Sequence, residues 1–206
     1  MKPEKFLAPE DRERVRAAIA EAERSTAGEI RVMVVRRSAP RPILVPLIVG
    51  AAVAVLAYFQ FLTRWTWHHP GLLEVFVAAA LGLFMAILGI WFIPPGKDVR
   101  HRSVWERAKR EFVRLGIGKT AGATGVLVLF SLFEHEAVVL ADKAINDKVP
   151  PETWSREVKI LLAGVKAGKP ADGIAEAVKE IGALLAQHFP RRDDDKNELS
   201  DNVVMR

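Results

Sequence analysis

The chain has 206 residues, half of them hydrophobic, with 30 Lys and Arg against 25 Asp and Glu for a net charge of +5, and it has no cysteine. That length suits one modest α/β domain beside an apolar insertion, and the missing cysteines exclude disulfides, thiolate metal sites and a cysteine nucleophile. The basic residues are mixed with acids or lie beside apolar runs, so no nucleic-acid partner is expected.

Pro9-Glu10-Asp11 opens an amphipathic helix whose apolar residues Val15, Ala18, Ile19 and Ala22 recur at helical spacing. Gly28 follows as its stop, and a β-branched strand is predicted over 29–36. Ile30, Val32 and Val34 fall on one face of that strand and Met33 and Val35 on the other, a pattern expected where both faces are covered. Two apolar runs come next, at 43–62 and 72–93, each long enough for a hydrocarbon core of roughly 30 Å. Arg36, Arg37 and Arg41 precede the first, Lys97, Arg100 and Arg102 follow the second, and the link 63–71 carries only Arg64.

The inside-positive rule then predicts a transmembrane hairpin in a bacterial-type plasma membrane, multi-pass, with both termini cytoplasmic. Trp65, Trp67, Trp91 and Phe92 are placed at its interfaces, and Glu74 near the outer headgroups. Residues 1–30 are too charged for a cleaved signal peptide, so the first span is expected to serve as an uncleaved anchor. The lone strand before the hairpin must complete its sheet after it.

Beyond Pro94-Pro95-Gly96, Val104, Ala108, Phe112 and Leu115 mark another helix, ended by Gly116. Residues 125–131 and 137–141 read as buried strands joined by a link too short for anything but antiparallel neighbours. Trp154, Val158, Leu161 and Val165 mark a further helix behind Pro150-Pro151, and Ile174, Val178, Ile181, Leu185 and Phe189 mark the last, stopped by Pro190. The expected division is therefore a first domain part at 1–37, spans at 43–62 and 72–93 around the link 63–71, a second domain part at 98–190, and a loosely ordered polar tail at 191–206.

This order, with Gly125-Val126-Leu127-Val128-Leu129, Leu140-Ala141-Asp142-Lys143-Ala144-Ile145, Val149-Pro150-Pro151-Glu152-Thr153-Trp154, His188-Phe189-Pro190 and Asn197-Glu198-Leu199, resembles the TPM domain family. The resemblance runs from Glu10 to Leu199 with the hairpin excised. It implies an α/β/α sandwich with a small mixed sheet, interrupted here by the two-helix transmembrane hairpin. It also implies a role in assembly, repair or modulation of membrane complexes, with calcium binding or acid phosphatase activity in some members. In relatives the residue before the first helix is commonly Ser or Thr, where this chain has Ala8, and glycines stand where it has Ala141 and Ala144.

Gly116-Ile117-Gly118-Lys119-Thr120 imitates the end of a phosphate-binding loop. It leaves a helix and approaches a strand, the reverse of the order that chemistry needs, and Val113 stands at the required earlier glycine. Asp193-Asp194-Asp195 imitates a calcium loop, but Glu198 stands at its glycine position and Val204 at its closing glutamate. A better oxygen cluster is Asp142, Asn146 and Asp147, with Glu29 nearby if the strands bring it there. Ca²⁺ would need backbone carbonyls or water to complete its six to eight oxygens at such a site; the structural alternative is that Asp142 and Asn146 cap a turn. No catalytic residue is assigned, because the histidines form no triad and no serine sits in a nucleophile elbow.

The function expected is a membrane-anchored, non-enzymatic accessory or modulatory factor for a membrane protein complex, with the lipid bilayer and another membrane protein as partners. The alternative is a metal-dependent acid phosphatase at the membrane surface, using Asp142 and Asp147.

Overall fold

The computed structural model describes residues 3–39, 44–65, 80–84, 96–191 and 197–206. Contacts divide the chain into two compact units, one made of Met1–Ala39 with Asp98–Arg206 and the other of Pro40–Lys97. In the first unit a short helix α1 (Pro3–Phe6) leads to α2 (Pro9–Glu23). Pro9 occupies the first helical position, where its missing N–H costs nothing. Ala8 offers no capping side chain, and instead Asp11 Oδ2 accepts the Ala8 N–H at 3.4 Å.

Strands β1 (Glu29–Val35), β2 (Gly125–Ser131), β3 (Glu136–Ala141) and β4 (Val204–Met205) form one sheet in the order β3-β2-β1-β4. β1 lies parallel to β2 from Glu29↔Gly125 to Val35↔Ser131, and β2 is antiparallel to β3. The strand left unpaired before the apolar insertion thus finds its partner about ninety residues later in the chain. The sheet is mixed, as expected.

Period-two alternation sends the strand side chains into two cores. On one face Ile30, Val32, Val34, Val126, Val128 and Phe130 meet α2, α6 (Ser155–Lys166) and α7 (Pro170–His188). On the other, Met33, Val35, Leu127, Leu129 and Val138 meet Val104 and Ala108 of α4 (Lys97–Arg114). Each fully buried aliphatic side chain contributes about 1.5–3 kcal/mol, which is why a four-stranded sheet with helices on both faces holds together. The helical hairpin α6–α7 packs backbone to backbone. A Cβ on Gly164 would lie 2.4 Å from the Cα of Gly173, so only glycine fits that crossing.

The second unit contains α3 (Leu44–Trp65) and the helical segment 80–84, where a Cβ on Gly82 would come 3.0 Å from Val53 Cγ1. Among the described residues no helix is long and apolar enough to cross a membrane. A bilayer demands about 20 continuous apolar residues. That finding corrects the expectation of a two-helix transmembrane hairpin at 43–62 and 72–93, and with it the multi-pass plasma-membrane placement and the orientation derived from flanking arginines. Trp67, Glu74, Trp91 and Phe92 lie outside the described residues, as do 193–195.

A second correction concerns the tail. The segment expected to be loosely ordered instead returns to the sheet and pairs β4 parallel to β1, Met33↔Val204 and Val34↔Met205. Its side chains alternate as a strand's must, with Val203 and Met205 against one core and Leu199 and Val204 against the other.

Candidate functional site

Parallel β1 and β2 start at the end of the sheet where antiparallel β3 finishes, so their loops collect polar residues in one place. Register puts Glu29 beside Gly125, and the Asp142 N–H donates to the Gly125 carbonyl at 2.9 Å. α2 ends beside the same corner. Its last residue, Glu23, is only 8% exposed, and its Oε1 accepts the Ile30 N–H at 2.7 Å on the outer edge of β1.

Burial pushes the Glu23 carboxyl up to about 8; the Ile30 N–H and Arg191 pull the other way, and the carboxylates of Glu29 and Asp201 add to the rise. Near neutral pH this carboxyl therefore holds its proton. Arg31, on the neighbouring stretch of β1, has its pKa lowered by burial, with Asp201 and Glu23 opposing that effect.

Glu29 is buried as well and accepts the N–H groups of Glu198 at 3.1 Å and Leu199 at 3.0 Å. Glu198 answers by accepting the Ala121 N–H on both carboxylate oxygens, each at 3.1 Å. Asn197 Nδ2 donates to Asp201 Oδ1 at 2.7 Å and to Glu23 Oε2 at 3.4 Å. Between these groups lies a polar cleft of about 200 Å³, lined by Glu23, Arg24, Glu29, Arg191, Asn197 and Asp201 among others.

The oxygen cluster singled out in the sequence sits at the same end of the sheet, on the short helix α5 (Lys143–Asn146). Asp142 caps that helix, its Oδ1 accepting the Lys143 N–H at 2.7 Å, while its Oδ2 is buried without a hydrogen-bond partner among the described residues. Asn146 spends its amide on the Ala141 carbonyl at 2.7 Å, and Asp147 is an exposed residue at the helix end. Glu29 is engaged with the tail. Among the described residues no group of three or more His, Cys, Asp or Glu could hold a metal ion. One unpaired carboxylate oxygen is a partial donor set for an ion that wants six to eight.

The opposite end of the sheet holds a buried carboxylate of a different kind. Glu134, in the β2–β3 turn and 1% exposed, accepts the N–H groups of Ser38 and Ala39 at 3.0–3.2 Å and the Ser131 hydroxyl. Ser38 Oγ in turn donates to Ser131 Oγ at 3.0 Å. This network fastens the chain just where it leaves β1. Another buried acid, Glu111 on α4, faces Arg107 at 2.9 Å, Arg114, and Arg206 at 3.6 Å.

Sequence patterns single out Asp142, Asn146 and Asp147 and pass over Glu23, Asp201, Glu134 and Glu111. Glu23 lies four residues after Ile19 and Glu111 three after Ala108, on the apolar faces of their helices, and that spacing is the signal that marks them. The other signal that points to this corner is Asn197-Glu198-Leu199, which stands out only as part of an ordered pattern.

Comparison with curated proteins gives no match. Among solved structures, the NMR structure of the BA42 protein from the psychrophilic bacterium Bizionia argentinensis is similar, with a TM-score of 0.62 and 22% identity over 97% of this chain and 94% of that one. At that identity the likeness concerns the fold. Residues 97–184, which run from the start of α4 into α7, match the family model described as the TPM domain. Over that stretch the chain is similar to the TPM domain family.

Proposed function

We propose that this TPM-like protein is a non-enzymatic accessory factor that acts by binding another protein. The observation that supports this reading is how the acids at the loop-rich end of the sheet are used. Glu23, Glu29 and Glu198 all accept hydrogen bonds from the chain's own backbone, so they hold a shape rather than face a reacting group. A general base must reach the proton it abstracts, and carboxylates committed to strand and tail N–H groups are poorly placed to do so. A domain stiffened this way, with helices on both faces of its sheet, suits a role in presenting a surface.

The competing reading, a metal-dependent phosphatase, draws on the unpartnered Oδ2 of Asp142. One pair of experiments separates them. A photo-crosslinking residue at Val113, exposed on α4, is expected to capture a discrete protein in cells that make the chain. The purified protein is expected to release no phosphate from an aryl phosphate with or without Ca²⁺. Calcium-dependent release that falls to background in Asp142→Asn would overturn the accessory reading in favour of catalysis.

A further inference from the structure

The segment 197–206 crosses the outer edge of β1 as a strap, and the way it is held resembles the way a peptide is bound. None of its side chains is buried. Its hold comes from backbone bonds and partly covered side chains. At one end Glu29 takes the N–H groups of Glu198 and Leu199. At the other, the Arg206 N–H donates to the Val34 carbonyl at 3.0 Å, and the Arg206 carbonyl accepts the Arg36 N–H at 2.6 Å. Between them the ladder is only Val204–Met205. Leu199 and Val204 touch one core, Val203 and Met205 the other, and the Arg206 guanidinium reaches the buried Glu111 at 3.6 Å.

Without the strap, β1 is an edge strand of seven residues with both faces buried. An exposed edge of that kind is a template for another strand. Strand addition gains affinity from main-chain hydrogen bonds and specificity from alternate side-chain sockets, and both are present here. Glu111 supplies a third element of recognition, a buried carboxylate placed for a basic side chain after the apolar run. The backbone ladder is indifferent to whose chain supplies it.

We infer that the outer edge of β1 is a docking groove for an extended peptide of a partner protein, one with alternating apolar residues followed by Arg or Lys, and that the strap is its built-in occupant. The inference rests on the accessory reading and names the surface that would do the binding. The tether gives the strap a high effective concentration, so a free peptide competes only when the strap opens. A partner supplying a longer ladder than two residues displaces it.

The test uses the 206-residue chain and a dye-labelled synthetic peptide with the sequence of residues 197–206. In fluorescence anisotropy the peptide is expected to bind a strap-weakened variant, Glu198→Ala with Val204→Asp, at least tenfold more tightly than the wild type. The same peptide with its final Arg replaced by Gln is expected to bind at least fivefold more weakly. Hydrogen exchange on the wild type gives a readout free of substitutions. The amides of Arg36 and Arg206 are expected to exchange at least tenfold faster than those of Leu127 and Leu129.

No saturable binding to a strap-weakened variant that keeps its circular dichroism and melting transition would overturn the inference. Exchange of Arg36 and Arg206 only with global unfolding would do the same, and it decides the matter if the variant does not fold. Either failure, with a protein still captured from Val113, leaves the accessory reading standing and moves its surface elsewhere.

Discussion

Replacing Glu23 by Gln should flatten the dependence of stability on pH, because Glu23 carries the most strongly displaced carboxyl resolved among the described residues. Its pKa stands at about 8 in the folded chain against an ordinary value of 4.5. Between those two values the folded state holds a proton that the unfolded state has released, so stability falls as pH rises. The contribution is fully present below pH 4.5 and lost as pH passes 8. A tenfold displacement of a proton equilibrium is worth about 1.4 kcal/mol, so the loss reaches about 3 kcal/mol at pH 7 and about 4.5 kcal/mol by pH 8.5.

Gln is neutral at every pH, nearly isosteric, and keeps an oxygen for the Ile30 N–H that Glu23 Oε1 now accepts at 2.7 Å. Urea unfolding of wild type and Glu23→Gln from pH 5 to 9 should give curves that differ by less than about 1 kcal/mol at pH 5 and by about 2 kcal/mol at pH 6, diverging steadily from there. The variant should be the more stable by about 4–5 kcal/mol at pH 8.5. Titrations of groups shared by both proteins cancel in the difference. Parallel curves across the range would show that Glu23 is not the buried, protonated acid described above, and would refute the argument that its surroundings hold the proton.

Two further substitutions probe the packing. Gly164→Ala places a methyl group 2.4 Å from the Gly173 backbone, and separating α6 from α7 to admit it should cost about 2–3 kcal/mol; an unchanged melting temperature would mean that the helices do not cross at these glycines. Glu134→Ala removes the acceptor of the Ser38 and Ala39 N–H groups and of the Ser131 hydroxyl. With several buried donors left unpaired the cost should be about 3 kcal/mol or more. Hydrogen exchange at Ser38 and Ala39 should rise with it, and equal protection in variant and wild type would show that Glu134 does not fasten this exit.

Local elements are legible in the order of residues. Val15, Ile19 and Ala22 recur on one helical face, and Ile30, Val32 and Val34 alternate with Met33 and Val35, because burying one face of a helix or both faces of a central strand forces those periods on the chain. The oxygen cluster at Asp142 is legible as residues but not as partners: Asp142 and Asn146 are close in the chain, and the fold is what commits each to a hydrogen bond with the backbone beside it. Hydropathy and flanking charge make the apolar runs read as membrane spans, a reading that the described helices do not support.

An α/β domain, its four long helices and three of its strands follow from residue order, since each of these is set by a period within a short window. The parallel pairing of β1 with β2, the partners of Glu23, Glu111 and Glu134, and the conversion of a polar tail into the fourth strand arise only once the chain has folded. These depend on what lies across the fold. Val203, Val204 and Met205 are too few to announce a strand, and they become one because β1 offers an open edge, Glu29 holds the approach, and Glu111 receives the arginine that follows.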